Sequence, residues 1–214
     1  MVNVKMYVEG ASGSKEQRIR TQRSFSTLLT KAGFGGRMPQ LIACGGKQQA
    51  YDDFCTAMRG SSRQRKGQLS YPLLLVDSED PLAELIEQTD HDFAWAHLHT
   101  RDRWKRPADS DSRQALLMAT CMECWIAADR SSLSSYYGKE IAVQQLPPLH
   151  NLENRDRHDV LRSLQHATRT SKKPYAKGHV SFALLAEVNP VVLRQQLSQF
   201  RRMIAVLDEV LPAS

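Results

Sequence analysis

Apolar and polar residues alternate from the start of the chain. Val2, Val4, Met6 and Val8 interleave with Asn3, Lys5, Tyr7 and Glu9, the period of two expected of a strand that buries one face. Glu9 falls at the strand's carboxyl end. GASGS follows as a flexible loop, and Ser14 with Gln17 three residues on has the spacing of a capping box. The helix it opens carries Ile19, Phe25, Leu28 and Leu29 as its apolar stripe and stops at Gly33. MPQLIACGG at 38–46 predicts a short second strand, KQQAYDDFCTAMRG at 47–60 a helix ended by Gly60, and SSRQRKG a polar, mobile loop.

YPLLLVDSED at 71–80 is the strongest strand signal in the chain. Four consecutive apolar residues between Pro72 and an acidic turn describe a strand buried on both faces, as in a parallel sheet. Strand, helix, strand, helix, strand is the beginning of a doubly wound, Rossmann-like α/β fold. Pro81 opens a short helix through Leu85 and Ile86, and Trp95 to Arg106 reads as strand or loop. Beyond Pro107 the pattern turns helical, with Leu116 to Ala128 as a long apolar helix and others at Val160 to Ala167, Phe182 to Val188 and Val191 to Leu211. The expected organisation is a mostly parallel α/β core over 1–106 and a helical C-terminal extension over 107–214. The extension packs on the core or caps its strand ends, in one compact unit.

At 214 residues, 41% hydrophobic, with 11 Gly and 9 Pro, the chain is an ordinary globular sequence, which excludes collagenous and disordered classes. Its longest apolar runs are too short to span a bilayer and Met1 to Tyr7 lacks the apolar core of a secretory signal, so a cytoplasmic protein with no membrane partner is expected. Cys121 and Cys124 form a CxxC without a second pair. Two small buried residues on a helix face explain them better than zinc.

The net charge of +6 is concentrated in Arg18 to Arg23, SSRQRKG, RDRWKR at 101–106 and RTSKKPYAKGH at 169–179. These basic segments surround the acids Glu9 and Asp77 to Asp80, an arrangement suited to a metal-dependent site acting on phosphodiesters. In an extended chain Asp77 and Glu79 aim at one spot while Ser78 faces the other side. Carboxylates converging in this way repel one another unless a cation neutralises them, and hard oxygen ligands suit Mg2+ or Mn2+. The competing reading is a helix-capping Asp77 followed by solvated loop acids. Glu123, in an otherwise apolar segment, faces solvent, an arginine or a metal. Lys177 and His179 in YAKGH are candidates to hold a phosphate or donate a proton to a leaving oxygen. Arg18, Arg101, Arg103 and Lys105 are candidate phosphate contacts. Lys47, after Gly45 and Gly46, opens a helix whose amides can seat a phosphate. His97 and His99, spaced to share a strand face, suit structural or phosphate contacts better than a Mg2+ site.

YVEG, SKEQRIR, FSTLLTKAGF, GRMP, ACGGKQQAYDDFC, LLLVDSEDP, HLHTRDRW, CMECWIAAD and KGHVSFALL together resemble a bacterial Toprim-like family encoded beside ABC-type ATPases in phage-defence gene sets. The Toprim fold is shared by topoisomerases, primases and the overcoming-lysogenization-defect nucleases. The resemblance implies that Glu9 is a metal ligand or general acid/base and that Asp77 and Glu79 stand for the metal-binding DxD pair. Glu79 replaces the second aspartate, with Asp80 adjacent, so either can take its place. Glu16 resembles an extra acid of nuclease members, and Lys177 their later lysine. The implied activity is a Mg2+-dependent nuclease working with an ATPase partner on DNA or RNA. The alternatives are a non-catalytic metal-binding or regulatory subunit of an ATPase-containing complex, and a phosphohydrolase or nucleotidyl transferase of small nucleotides. Homo-oligomerisation is left open.

Overall fold

Leu73, Leu74, Leu75 and Val76 are inaccessible to solvent, as expected of a strand with both faces covered. They lie in β3 (Ser70–Asp77), which pairs in parallel with β1 (Asn3–Glu9) on one side and β4 (Ala115–Met118) on the other. With β2 (Gln40–Gly45) beyond β1, the sheet formed by the described residues is four-stranded, all parallel and ordered β2-β1-β3-β4, which establishes the expected α/β class. The computed structural model describes residues 3–10, 14–61, 70–82 and 92–213. Most of the basic loop SSRQRKG and the helix expected at Leu85 and Ile86 lie outside the described residues.

Right-handed crossovers dictate where the helices go. From β1 the chain moves outward to β2, so α1 (Lys15–Leu29) takes one face. The moves to β3 and β4 run the other way and put α2 (Lys47–Ser61) and α3 (Phe93–Asp102) on the opposite face. The two buried clusters follow this division. Val4, Met6, Val8, Leu73, Leu75, Leu116 and Met118 pack with Phe25, Leu28 and Leu29 of α1. Tyr7, Leu74, Val76, Ala115 and Leu117 pack with Phe54 and Met58 of α2 and Trp95 and Leu98 of α3. The Ser14–Gln17 capping box starts α1 as expected, and the left-handed Gly33, at φ 99°, breaks the helical turn that follows it.

After β4 come α4 (Glu123–Ala128), α5 (Arg130–Tyr137), α6 (Arg157–Thr168), α7 (His179–Glu187), α8 (Pro190–Gln196) and α9 (Ser198–Val210). Their buried residues join the α1 side of the sheet, where Trp125 of α4 meets Phe25 and Phe200 edge-on at 6.2 and 5.0 Å between ring centres. Three expected elements are corrected. The helix expected over Leu116 to Ala128 is β4, a turn and the short α4; ALLM is a central-strand run whose continuous apolar character does not distinguish strand from helix. The segment expected as strand or loop from Trp95 is mostly α3. The last helix breaks at Leu197, at φ −121° and ψ 117°. Glu153 caps the new start by accepting from Ser198 N and Oγ at 2.7 Å each and Gln199 N at 3.0 Å. Because β4 follows residue 106, the helical part also supplies the sheet's last strand. Among the described residues no helix is long and apolar enough to cross a membrane.

Candidate functional site

The connections leaving β1 and β3 diverge to opposite faces, so the crevice at their carboxyl ends is the topological switch point at which ligands bind in open α/β sheets. Glu9 and Asp77 end these two strands. The Asp77 N–H donates to Glu9 Oε2 at 3.0 Å, and Asp77 Oδ1 accepts from Met122 N at 2.9 Å, which ties β3 to the start of α4. The next residue, Glu123, is only 2% exposed. Its Oε1 accepts from Tyr175 Oη at 2.9 Å and lies 3.6 Å from Lys177 Nζ. Its Oε2 is buried with no hydrogen-bond partner among the described residues.

Glu9, Asp77, Glu123 and Lys177 line one cavity of about 130 Å³, walled by Met118, Met122, Ser181 and Phe182 and edged by Gly10 and Gly178. Burial pushes the Glu9 carboxyl up to about 7, against the pull of the Asp77 N–H and of Lys47. Burial, with the charges of Glu9 and Glu123, holds Asp77 well above the usual carboxylate range. Burial opposes protonation of Lys177, but Glu123 and Asp77 outweigh it and raise the ammonium above an ordinary lysine. Burial and the neighbouring Glu123 likewise raise the Tyr175 hydroxyl. Among the described residues of the cavity lining, three carboxylates therefore face one ammonium. Among the described residues no three His, Cys, Asp or Glu side chains stand close enough together to form a ready coordination shell.

Asp77 and Glu79 do not converge as extended-strand alternation predicts. β3 ends at Asp77, and Glu79 has φ +63°, which reverses the chain. Thr120, in the turn after β4, also has a positive φ, of 50°, and its carbonyl accepts from Glu79 N at 2.9 Å. Buried Ser78 stitches the two turns together: its Oγ accepts from Thr120 N and donates to Asp80 O, both at 2.8 Å. The Glu79 carboxylate pairs with Arg101, with Arg157 at 2.7 Å and with Lys47 at 3.8 Å. Arg101 also holds Asp80 at 3.0 Å and Asp102, and Lys47 holds Asp102 at 2.8 Å. Beside the acid-rich cavity there is thus a second cluster in which three carboxylates are matched by three cations.

The other candidates are dispersed. Arg18 is exposed on α1, where Glu16 is also exposed and pairs with Arg20. Arg103 is exposed at the left-handed end of α3, and Lys105 is exposed with its backbone held by the Tyr51 hydroxyl. His97 and His99 lie two apart on a helix, not on one strand face. His97 Nε2 bonds Ser78 O at 2.9 Å and His99 Nδ1 bonds Trp104 O at 3.0 Å. Gly45, at φ 92°, leads into α2 and brings Lys47 to the balanced cluster. His179 is exposed at the start of α7. Cys121 and Cys124 are buried around the turn into α4. Tyr175 and Arg157 escaped the sequence reading: Tyr175 stands two residues before Lys177 in the YAKGH segment, and nothing local marks Arg157.

A family model described as a domain of unknown function, DUF4276, matches residues 15–208. No curated protein and no solved structure matches the chain.

Proposed function

For this chain, which belongs to the DUF4276 family, we propose a Toprim-type nuclease dependent on Mg2+ or Mn2+ that hydrolyses phosphodiester bonds in nucleic acid and works with an ABC-type ATPase partner. The observation that carries the reading is the Glu123 Oε2, without a hydrogen-bond partner among the described residues, in a cavity whose described lining sets Glu9, Asp77 and Glu123 against the one cation Lys177. A buried carboxylate oxygen without a donor is costly, and two uncompensated negative charges are costlier still. A divalent cation removes both costs. The fit is one of charge and donor type, without a preformed coordination shell among the described residues: hard carboxylate oxygens suit Mg2+ and Mn2+, and Glu9, Asp77 and Glu123 are the residues that would hold the ion.

A bound ion supplies neutralisation of developing charge and a water of lowered pKa. Glu9, whose carboxyl lies near neutrality, is suited to take up and return a proton at the cavity mouth. Lys177 Nζ, half-exposed at the rim, is placed to meet a phosphate oxygen or a leaving oxygen. Tyr175 fixes the Glu123 carboxylate by its hydrogen bond.

A second reading, a metal-binding or regulatory subunit without turnover, is favoured by one observation. Glu79, the acid corresponding to the second of the Toprim pair, is occupied by Lys47, Arg101 and Arg157. Calorimetry with Mn2+ and nicking of plasmid and tRNA, each with wild type, Glu9→Ala and Glu123→Gln, test both readings. Cleavage lost in the variants supports the nuclease. Absence of Mn2+ binding sinks both, and binding without cleavage in the presence of an ATPase encoded beside the gene leaves the second.

A further inference from the structure

The acid cavity shares Phe182 with a groove of about 190 Å³ between α1 and α7, lined by Arg20, Arg23, Ser24, Thr27, His179 and Ala183 among others. Among the described residues no carboxylate lines it. Arg23 and His179 are exposed and make no ion pair or hydrogen bond among the described residues, while Arg20 shares its charge with Glu16. At the far end Lys31 Nζ donates to Ala186 O at 2.6 Å, and at the inner end Lys177 turns into the cavity. Arg20 and Arg23 line the groove together with His179, Lys31 stands beyond its far end, and Lys177 stands in the acid pocket.

Resting on the nuclease reading above, we propose that this groove holds the sugar-phosphate backbone of one nucleic-acid strand and delivers the adjoining phosphodiester to Glu9, Asp77 and Glu123. At about 190 Å³ the groove is far too small to take a duplex and is left to a single strand. Its floor is small (Ser24, Thr27 and Ala183) and its aromatic wall, Phe182, is buried. The groove therefore offers charge to phosphates and, among its described lining, no exposed Phe, Tyr or Trp ring on which a base can stack, so binding is weakly dependent on sequence and strongly dependent on salt.

The test is fluorescence anisotropy of a labelled single-stranded oligonucleotide in EDTA, over a salt series, with wild type, Arg23→Ala, Arg23→Lys and, as a control on the opposite face, Arg59→Ala. Arg23→Ala is expected to weaken binding about fivefold to tenfold at low salt and to lower the slope of log K against log salt by about 0.7, the value for one phosphate contact on a single strand. Arg23→Lys retains the slope, and Arg59→Ala changes neither quantity. Wild-type binding with an unchanged slope in Arg23→Ala overturns the groove and leaves the nuclease reading standing. Tighter binding of a matched duplex, or equal competition by an acidic peptide of the same charge, also overturns the groove. If wild type binds no oligonucleotide at all, both the groove and the nuclease reading fall.

Discussion

Replacing Glu9 with glutamine should stabilise the metal-free protein at pH 8 and do far less at pH 5. Burial raises this carboxyl from 4.5 to about 7. Between those values the folded chain keeps a proton that the unfolded chain has released, so this group's contribution makes wild-type stability fall as pH rises through the window and stay low above it. At about 1.4 kcal/mol per tenfold, the full interval is worth roughly 3 kcal/mol. Part of the rise is shared with Asp77, so about 1–3 kcal/mol is expected from Glu9 alone. Glutamine keeps a carbonyl to accept the Asp77 N–H and removes the charge. In a domain of this size the gain corresponds to roughly 2–10 °C in Tm. The assay is thermal unfolding of wild type and Glu9→Gln in EDTA at pH 5 and pH 8. Adding Mg2+ at pH 8 should raise the wild-type Tm and leave the variant almost unmoved. An equal shift at both pH values, or destabilisation at pH 8, would refute the claim that Glu9 is held charged against its environment.

Ser78→Ala leaves the buried Thr120 N–H without its acceptor and should cost about 1–3 kcal/mol, read as a lower urea midpoint at unchanged slope; an unchanged midpoint would mean that the two turns are not held by this bond. Tyr175→Phe removes the donor to Glu123 Oε1 and should lower Tm in EDTA, with a cost of about 1–3 kcal/mol. Adding Mn2+ should recover part of the loss if the carboxylate accepts a cation in place of the hydroxyl. Trp125→Ala opens a void between Phe25 and Phe200 and should cost about 3–5 kcal/mol, measured by urea unfolding.

Where the chain alternates or runs apolar between clear turn signals, sequence and structure agree: β1, β2, β3 and the capped start of α1 are all legible. β4 was hidden because Ala115 to Met118 flows into another apolar segment, and a strand buried on both faces has no periodicity of its own. α3 was hidden by its polar residues, since His97, His99 and Arg101 interrupt the apolar stripe of Phe93, Ala94, Trp95 and Leu98. That Glu9 and Asp77 end neighbouring strands at the switch point is legible because strand ends follow from the apolar pattern and the topology. That Glu123 and Lys177 meet there depends on the packing of α4 and on the segment before α7, separated by more than fifty residues, and no local pattern encodes such a contact. Asp77 and Glu79 were misjudged for a local reason: alternation assumes an extended chain, and the left-handed conformation at Glu79 ends it.

The division between a balanced and an unbalanced acid cluster makes two nearby glutamates behave in opposite ways. Glu79 is 21% exposed and lies among Lys47, Arg101 and Arg157, whose side chains are 10%, 23% and 33% exposed. Removing its charge leaves these cations in partial burial with less compensation, so Glu79→Gln should destabilise by about 1–3 kcal/mol at pH 8. Because the cluster is not fully enclosed, the loss should shrink in high salt. Glu9→Gln at the same pH removes a charge that the fold compensates poorly and should stabilise. Thermal unfolding of both variants in EDTA, at low and high salt, compares the two directly. Stabilisation by Glu79→Gln would show that the cations do not match this cluster, and Glu79 would then rejoin Glu9 and Asp77 as an acid with charge to spare for a metal. Opposite signs would mean that Glu79 is already neutralised by protein, and that uncompensated negative charge is confined to the cavity lined by Glu9, Asp77 and Glu123.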